Sequence, residues 1–107
     1  MPLYLYRFGF ESPRQFRNNL AHGCDDEDSQ AVLIDAPDEA AALAWGQAIS
    51  ERFLKLLFRD ESVSWRERRY AHWVDAADND SWQDQPAVVV GEFPDFDPWI
   101  APYRGEN

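Results

Sequence analysis

The sequence predicts an α+β fold, a single mixed sheet of about four strands with one long helix packed on one face. Three observations lead there. Residues 3–10 and 31–36 are short runs rich in aromatic or β-branched side chains, residues 38–58 repeat apolar side chains at three- and four-residue steps, and two further strand-like runs follow. With 107 residues, one domain covering 1–107 is expected, because domains cluster near about 100 to 150 residues.

Residues 3–10, "LYLYRFGF", alternate so that Tyr4, Tyr6, Phe8 and Phe10 share one side, the expected core side. In "ESPRQFRNNLAHG", Ser12 is a candidate helix cap and Pro13 a first helical residue. The early Asn18, Asn19 and Gly23 limit this expectation to one or two turns. "CDDEDSQ" reads as a surface loop, and "AVLIDA" at 31–36 as a buried strand.

The segment "PDEAAALAWGQAISERFLKLLF" carries the strongest signal. Pro37 suits a first turn, Asp38 and Glu39 complement the positive end of the helix dipole, and alanine-rich propensity extends the helix to about Phe58. Ala42, Trp45, Ile49, Phe53, Leu56 and Leu57 form the stripe expected to seal the sheet, with Gln47, Glu51 and Lys55 opposite. Glu51 precedes Lys55 by four residues, the favourable order for a surface pair. Gly46 within the apolar face costs up to about 1 kcal/mol against alanine, so its expected use is to admit a strand or an aromatic ring.

"SVSWRERRYAHWV" at 62–74 reads as a long strand, with Val63, Trp65 and Trp73 in phase and Arg66, Arg68, Tyr70 and His72 opposite. Glu67 and Arg69 break the parity and suggest a bulge, an edge or a polar ladder. "PAVVVGEF" at 86–93 is a second strand opened by Pro86, and an antiparallel hairpin is the simplest link between the two. A crossover through the helix is expected to join 31–36 to a parallel strand. The element order resembles a ferredoxin-like arrangement or related open sandwich, as architecture alone, from which no function follows.

The C-terminal stretch "GEFPDFDPWIAPYRGEN" has prolines at 94, 98 and 102. They remove backbone donors, so residues 94–107 are expected to be an extended strap rather than a helix. A free strap would place Phe93, Phe96, Trp99, Ile100 and Tyr103 in water as one patch. It is therefore expected to fold over its own sheet, with rim aromatics left for a partner.

Twenty acidic against ten basic residues give a net charge of -10. Nucleic-acid affinity comes largely from Lys and Arg displacing counterions, so a nucleic-acid partner is not expected, and a protein with a basic surface is. A single cysteine, Cys24, excludes an intramolecular disulfide and fits a cytoplasmic setting. The absence of an apolar run of about 18 residues argues against a membrane span.

Site motifs are weak. His22, Cys24 and the following aspartates offer metal ligands, but structural zinc takes four N or S ligands, and the chain has three such side chains including His72. No metal or cofactor is expected. "DAADNDSWQD" lacks the glycine and terminal glutamate of a calcium loop. Neither a nucleophile elbow nor a phosphate-binding glycine loop occurs, and no catalytic residue is assigned. "WRERRYAHW" could stack on bases, but in an acidic chain its arginines are expected to pair with carboxylates across the sheet or stack on tryptophan.

Three functions follow as expectations. The first is a non-catalytic acidic domain, immunity-, inhibitor- or adaptor-like, that docks on a basic protein through Asp75, Asp78, Asp80, Asp84, Phe96, Trp99 and Tyr103. The second is a small enzyme or ligand binder with a site between helix, sheet and strap, using His22 or His72 with a carboxylate. The third is a homo-oligomeric structural domain.

Overall fold

The computed structural model describes residues 2–24, 26–77 and 86–105. Four strands form one mixed sheet: β1 (Leu3–Phe10), β2 (Asp28–Asp35), β3 (His72–Ala76) and β4 (Ala87–Val89), in the order β3-β1-β2-β4. β1 runs antiparallel to both β2 and β3, and β4 lies parallel to β2. Strands β2 and β3 therefore point the same way with β1 between them, joined through α2 (Glu39–Phe58) as a split β-α-β unit. The expected hairpin between the last two strands does not form. β3 and β4 occupy opposite edges and run in the same direction, so β4 adds to β2 beyond β1.

The even face of β1 is the core side. Tyr6, Phe8 and Phe10 are buried with Val32 and Ile34 of β2 and Val88 of β4. From α2, Ala42, Ile49, Phe53, Leu54 and Leu57 close over them. Trp45 packs at the margin, whereas Leu56, expected in the stripe, is 37% exposed and Leu54 takes the inward place. A step of 100° per residue puts Leu54 and Leu57 beside Ile49, Ser50 and Phe53, while Leu56 turns past the seam.

Gly46 meets Tyr6: a Cβ there would come within 2.4 to 2.6 Å of three carbons of the phenol ring. The Asp38 side chain caps the helix by accepting from the Ala41 N–H at 2.8 Å. At the other end, Glu51 reaches Lys55 at 3.4 Å.

α1 (Pro13–His22) bridges β1 and β2 and is longer than the one or two turns expected. Ser12 and Gln15 form a reciprocal capping box, and left-handed Gly23 ends the helix. Asn18 and Asn19 are tolerated because Asn19 finds partners outside the helix, the Glu11 carboxylate and the Asp26 backbone. Part of the acidic run is strand rather than loop, since Asp28, Ser29 and Gln30 pair with Phe10, Gly9 and Phe8.

The long strand expected at 62–74 is mostly a turn. Residues 66–68 form a 3-10 turn closed by left-handed Arg69, and strand pairing begins at His72. Val63, Trp65 and Tyr70 are core residues reached by this non-periodic path, with the Trp65 indole N–H donating to the Gly9 carbonyl at 2.9 Å. Within β3 the expected phase is inverted: Val74 packs on the core and Trp73 is 47% exposed.

The C-terminal stretch also departs from expectation, because it contains helical turns, α3 (Asp97–Ile100) followed by a 3-10 turn at 101–103. Pro98 and Pro102 sit in the first turn of each, where no intrahelical N–H is needed. The segment lies beside α2 on the same face of the sheet. Phe53 contacts both Phe96 and Trp99, Phe8 contacts Trp99, and Phe10 contacts Tyr103.

Candidate functional site

Two structural decisions leave a groove along β2. The first is the shortness of β4. It opens at Ala87, opposite Leu33 and directly after Pro86, and ends at Gly91, φ 98°, with a turn bond from the Glu92 N–H to the Val89 carbonyl. Pairing with β4 covers only Leu33, Ile34 and Asp35 of β2, and its start leaves Gln30, Ala31 and Val32 outside it. The second is the anchoring of the C-terminal strap. The Trp45 indole N–H donates to the Glu92 carbonyl at 2.8 Å, with the Phe93 ring tilted against it at 4.9 Å between centroids, and the Tyr103 hydroxyl donates to the Asp28 carboxylate at 2.6 Å.

Between these fixed points lies a cavity of about 720 Å³. Ala31, Val32 and Leu33 form its sheet wall, and Phe93, Pro94 and Trp99 its strap wall. Gln30 and Asp95 supply polar groups at the lining. This volume lies within the roughly 300–1,000 Å³ range of ligand clefts.

Charge is distributed unevenly around it. Residues 24–40 carry seven acids and no base, and residues 86–105 carry Glu92, Asp95 and Asp97 against Arg104 alone. Arg104 lies 3.8 Å from Asp97. The remaining bases precede Tyr70 and are concentrated in other elements. In that second region Arg66 reaches Glu51 at 3.6 Å, and Arg68 lies over the rings of Phe16 at 4.0 Å and Phe58 at 4.7 Å. The expected partners, carboxylates across the sheet and tryptophans, are thus replaced by a helix carboxylate and phenylalanines. The 3-10 turn lifts these arginines out of the sheet.

Buried polar groups outside the groove serve packing. The Ser50 hydroxyl donates to the Gly46 carbonyl at 3.0 Å, so the 2.8 Å contact between Tyr6 and Ser50 has Tyr6 as donor. Burial pushes the Tyr6 hydroxyl up to about 12, opposed by Ser50 and Arg66. Burial also raises Tyr70, helped by the Glu11 carboxylate that accepts its proton at 2.6 Å. Glu51 goes the other way. Its burial works to raise it, but hydrogen bonds from the Arg66 N–H, Ser64 and Lys55 together hold it below the usual carboxylate range.

The residues singled out from sequence are placed as follows. Asp75 is exposed on β3, on the face opposite α2. Asp78, Asp80 and Asp84 lie outside the described residues. Phe96 is buried in the chain's own core, while Trp99 and Tyr103 are half-buried. Phe93, 46% exposed, is the outward aromatic of the strap.

His22 is exposed at the end of α1, with Cys24 contacting its carbonyl. His72 meets Gln47 at 3.2 Å, the Tyr70 carbonyl at 3.1 Å and the edge of Trp65. Neither histidine contacts a carboxylate among the described residues. Among the same residues no group of three or more His, Cys, Asp and Glu is arranged to hold a metal ion, and no helix is long and apolar enough to cross a membrane.

Sequence reasoning missed Gln30, Ala31, Val32 and Phe93 as groove residues. The available signal was Pro86, which opens β4 opposite Leu33 and so leaves Gln30, Ala31 and Val32 short of its pairing. No protein-family model matches this chain, and no curated protein or solved structure is significantly similar to it.

Proposed function

We propose that this chain is a small acidic, non-catalytic binding domain of the cytoplasm that docks on a protein with a basic surface, as inhibitors, immunity proteins and adaptors do. One observation carries the reading: the two segments that border the apolar groove, 24–40 and 86–105, together hold ten acids against one base, where the whole chain holds twenty against ten. A desolvated apolar centre supplies anchoring energy, and a rim of one charge sign speeds encounter with the opposite sign. Phe93 and Trp99 are the anchors in this reading, with Asp95 and Asp97 in the rim, and Asp75 extends the acidic character to the other edge. The scaffold is an open α+β sandwich whose split β-α-β unit is the part it shares with ferredoxin-like architectures.

The test is a pull-down at low and at high salt with identification of what is held. The reading expects a basic protein whose capture falls steeply as salt rises, because exposed charges are screened within about 10 Å at 0.1 M. Recovery of no basic protein at low salt would overturn it.

A further inference from the structure

We infer that the aromatic pair formed by Trp45 and Phe93, beside the end of β4, receives an arginine side chain of the basic partner, with the guanidinium laid on the rings and bonded to the Glu92 carboxylate. This rests on the function proposed above and names the group that the acidic rim selects.

Two elements build the site and fix each other. Trp45 belongs to α2 and Phe93 follows the turn that ends β4, and the Trp45 indole N–H, donating to the Glu92 carbonyl at 2.8 Å, ties them together. The two rings meet at an interplanar angle of 36°, and Phe93 is braced in turn by the buried Phe96 at 6.0 Å. Phe93 and the neighbouring Val90 are nevertheless 46% and 45% exposed. Rings held in place before a ligand arrives lose little freedom on binding it.

Charge decides what lies on them. Glu92 directly precedes Phe93, Asp95 follows two residues later, and Asp38 stands two turns before Trp45 on the same side of α2. None of these three exposed carboxylates has an ion-pair partner among the described residues. The cations of α2, Arg52 and Lys55, lie toward its other end and are paired with Glu61 and Glu51.

The same chain shows what an aromatic pair of this kind accepts. Phe16 and Phe58, 6.0 Å apart, carry the Arg68 guanidinium at 4.0 and 4.7 Å from their ring centroids. No described residue places a cation over Trp45 and Phe93, although tryptophan is the stronger receptor for one. A planar guanidinium stacks on a ring and donates to a carboxylate through its edge at once, which the compact, strongly hydrated ammonium of lysine does not match. Arginine is therefore the favoured occupant.

The experiment uses the whole chain and two synthetic peptides, one alternating arginine with glycine and one alternating lysine with glycine. NMR at low salt follows the indole N–H signal of Trp45, assigned by its loss in Trp45→Phe. The arginine peptide is expected to move this signal to saturation and to bind about threefold or more tighter than the lysine peptide. Phe93→Ala and Glu92→Gln are each expected to weaken it by about threefold to tenfold. Phe93 is partly exposed and Glu92 exposed, so both variants keep the fold.

An unmoved Trp45 signal, equal binding of the two peptides, or full binding by both variants would overturn the inference, as would no binding at low salt. The pull-down judges the functional reading separately. A basic protein held equally by the unaltered chain and by Phe93→Ala would refute the arginine site and leave that reading intact, whereas recovery of no basic protein refutes the reading itself.

Discussion

The Tyr6 ring abuts Gly46, and its hydroxyl donates to Ser50, 2.8 Å away and one helical turn further along α2. This contact sets the distance between helix and sheet. Gly46→Ala would press a methyl group into the ring, and overpacking of this kind costs about 1 to 3 kcal/mol. Ser50→Ala leaves a buried hydroxyl without its acceptor, at about 1 to 3 kcal/mol. Denaturant unfolding of both variants should show the loss as a lower midpoint with an unchanged slope.

The pH dependence has opposite signs at the two ends. For Tyr6 and Tyr70 the folded values lie above the unfolded ones. Their contribution is complete below the ordinary tyrosine range and is lost as pH rises through about 12 for Tyr6. Glu51 is held low in the folded state, so its contribution is present above the usual glutamate range and disappears as pH falls through its depressed value. Tyrosinate absorbance of these two residues should rise with unfolding, above the normal tyrosine transition. In Glu51→Gln the acid limb of stability should flatten.

Removing Phe96 and removing Phe93 should have unlike consequences. Phe96→Ala empties a site walled by Phe53 and Trp99, and large aromatic truncations in a core cost about 3 to 5 kcal/mol. Phe93→Ala loses one partly exposed contact with Trp45, which should cost about 1 kcal/mol or less. Paired thermal melts measure this contrast, and equal shifts would contradict the placement of the strap.

Arg68 has two opposing contributions. Its guanidinium sits over Phe16 and Phe58, yet its Nη1 is buried without a hydrogen-bond partner. Cation–π attraction of about 1 to 2 kcal/mol is partly offset by that desolvated nitrogen. Arg68→Met should therefore destabilise by less than about 1 kcal/mol, while a double-mutant cycle with Phe58→Leu should return a coupling of about 0.5 to 1 kcal/mol.

How far the fold could be read from the chain depended on how local each cause was. Residues 38–58 were legible because cap, dipole and periodicity all agree within the segment, and Gly46 marked the aromatic approach that Tyr6 makes. The region 62–74 was not. Val63, Trp65 and Tyr70 mimic strand alternation, but Arg69 adopts a left-handed conformation at φ 57° and the Trp65 indole is drawn to a carbonyl far away in sequence. In the strap, counting prolines obscured their position in first turns. The groove was hard to read for another reason: Pro86 marks where β4 opens, but not which residue of β2 lies opposite it, and that register decides what stays outside the pairing.

Rings from the strap, which follows all four strands in the chain, complete the core around Phe8, Phe10 and Phe53. During synthesis, a nascent polypeptide that has emerged only through β4 still displays those three phenylalanines without their final cover. Chaperone engagement and sticking between neighbouring nascent chains should therefore peak in this interval, and both should subside once Tyr103 has cleared the ribosome.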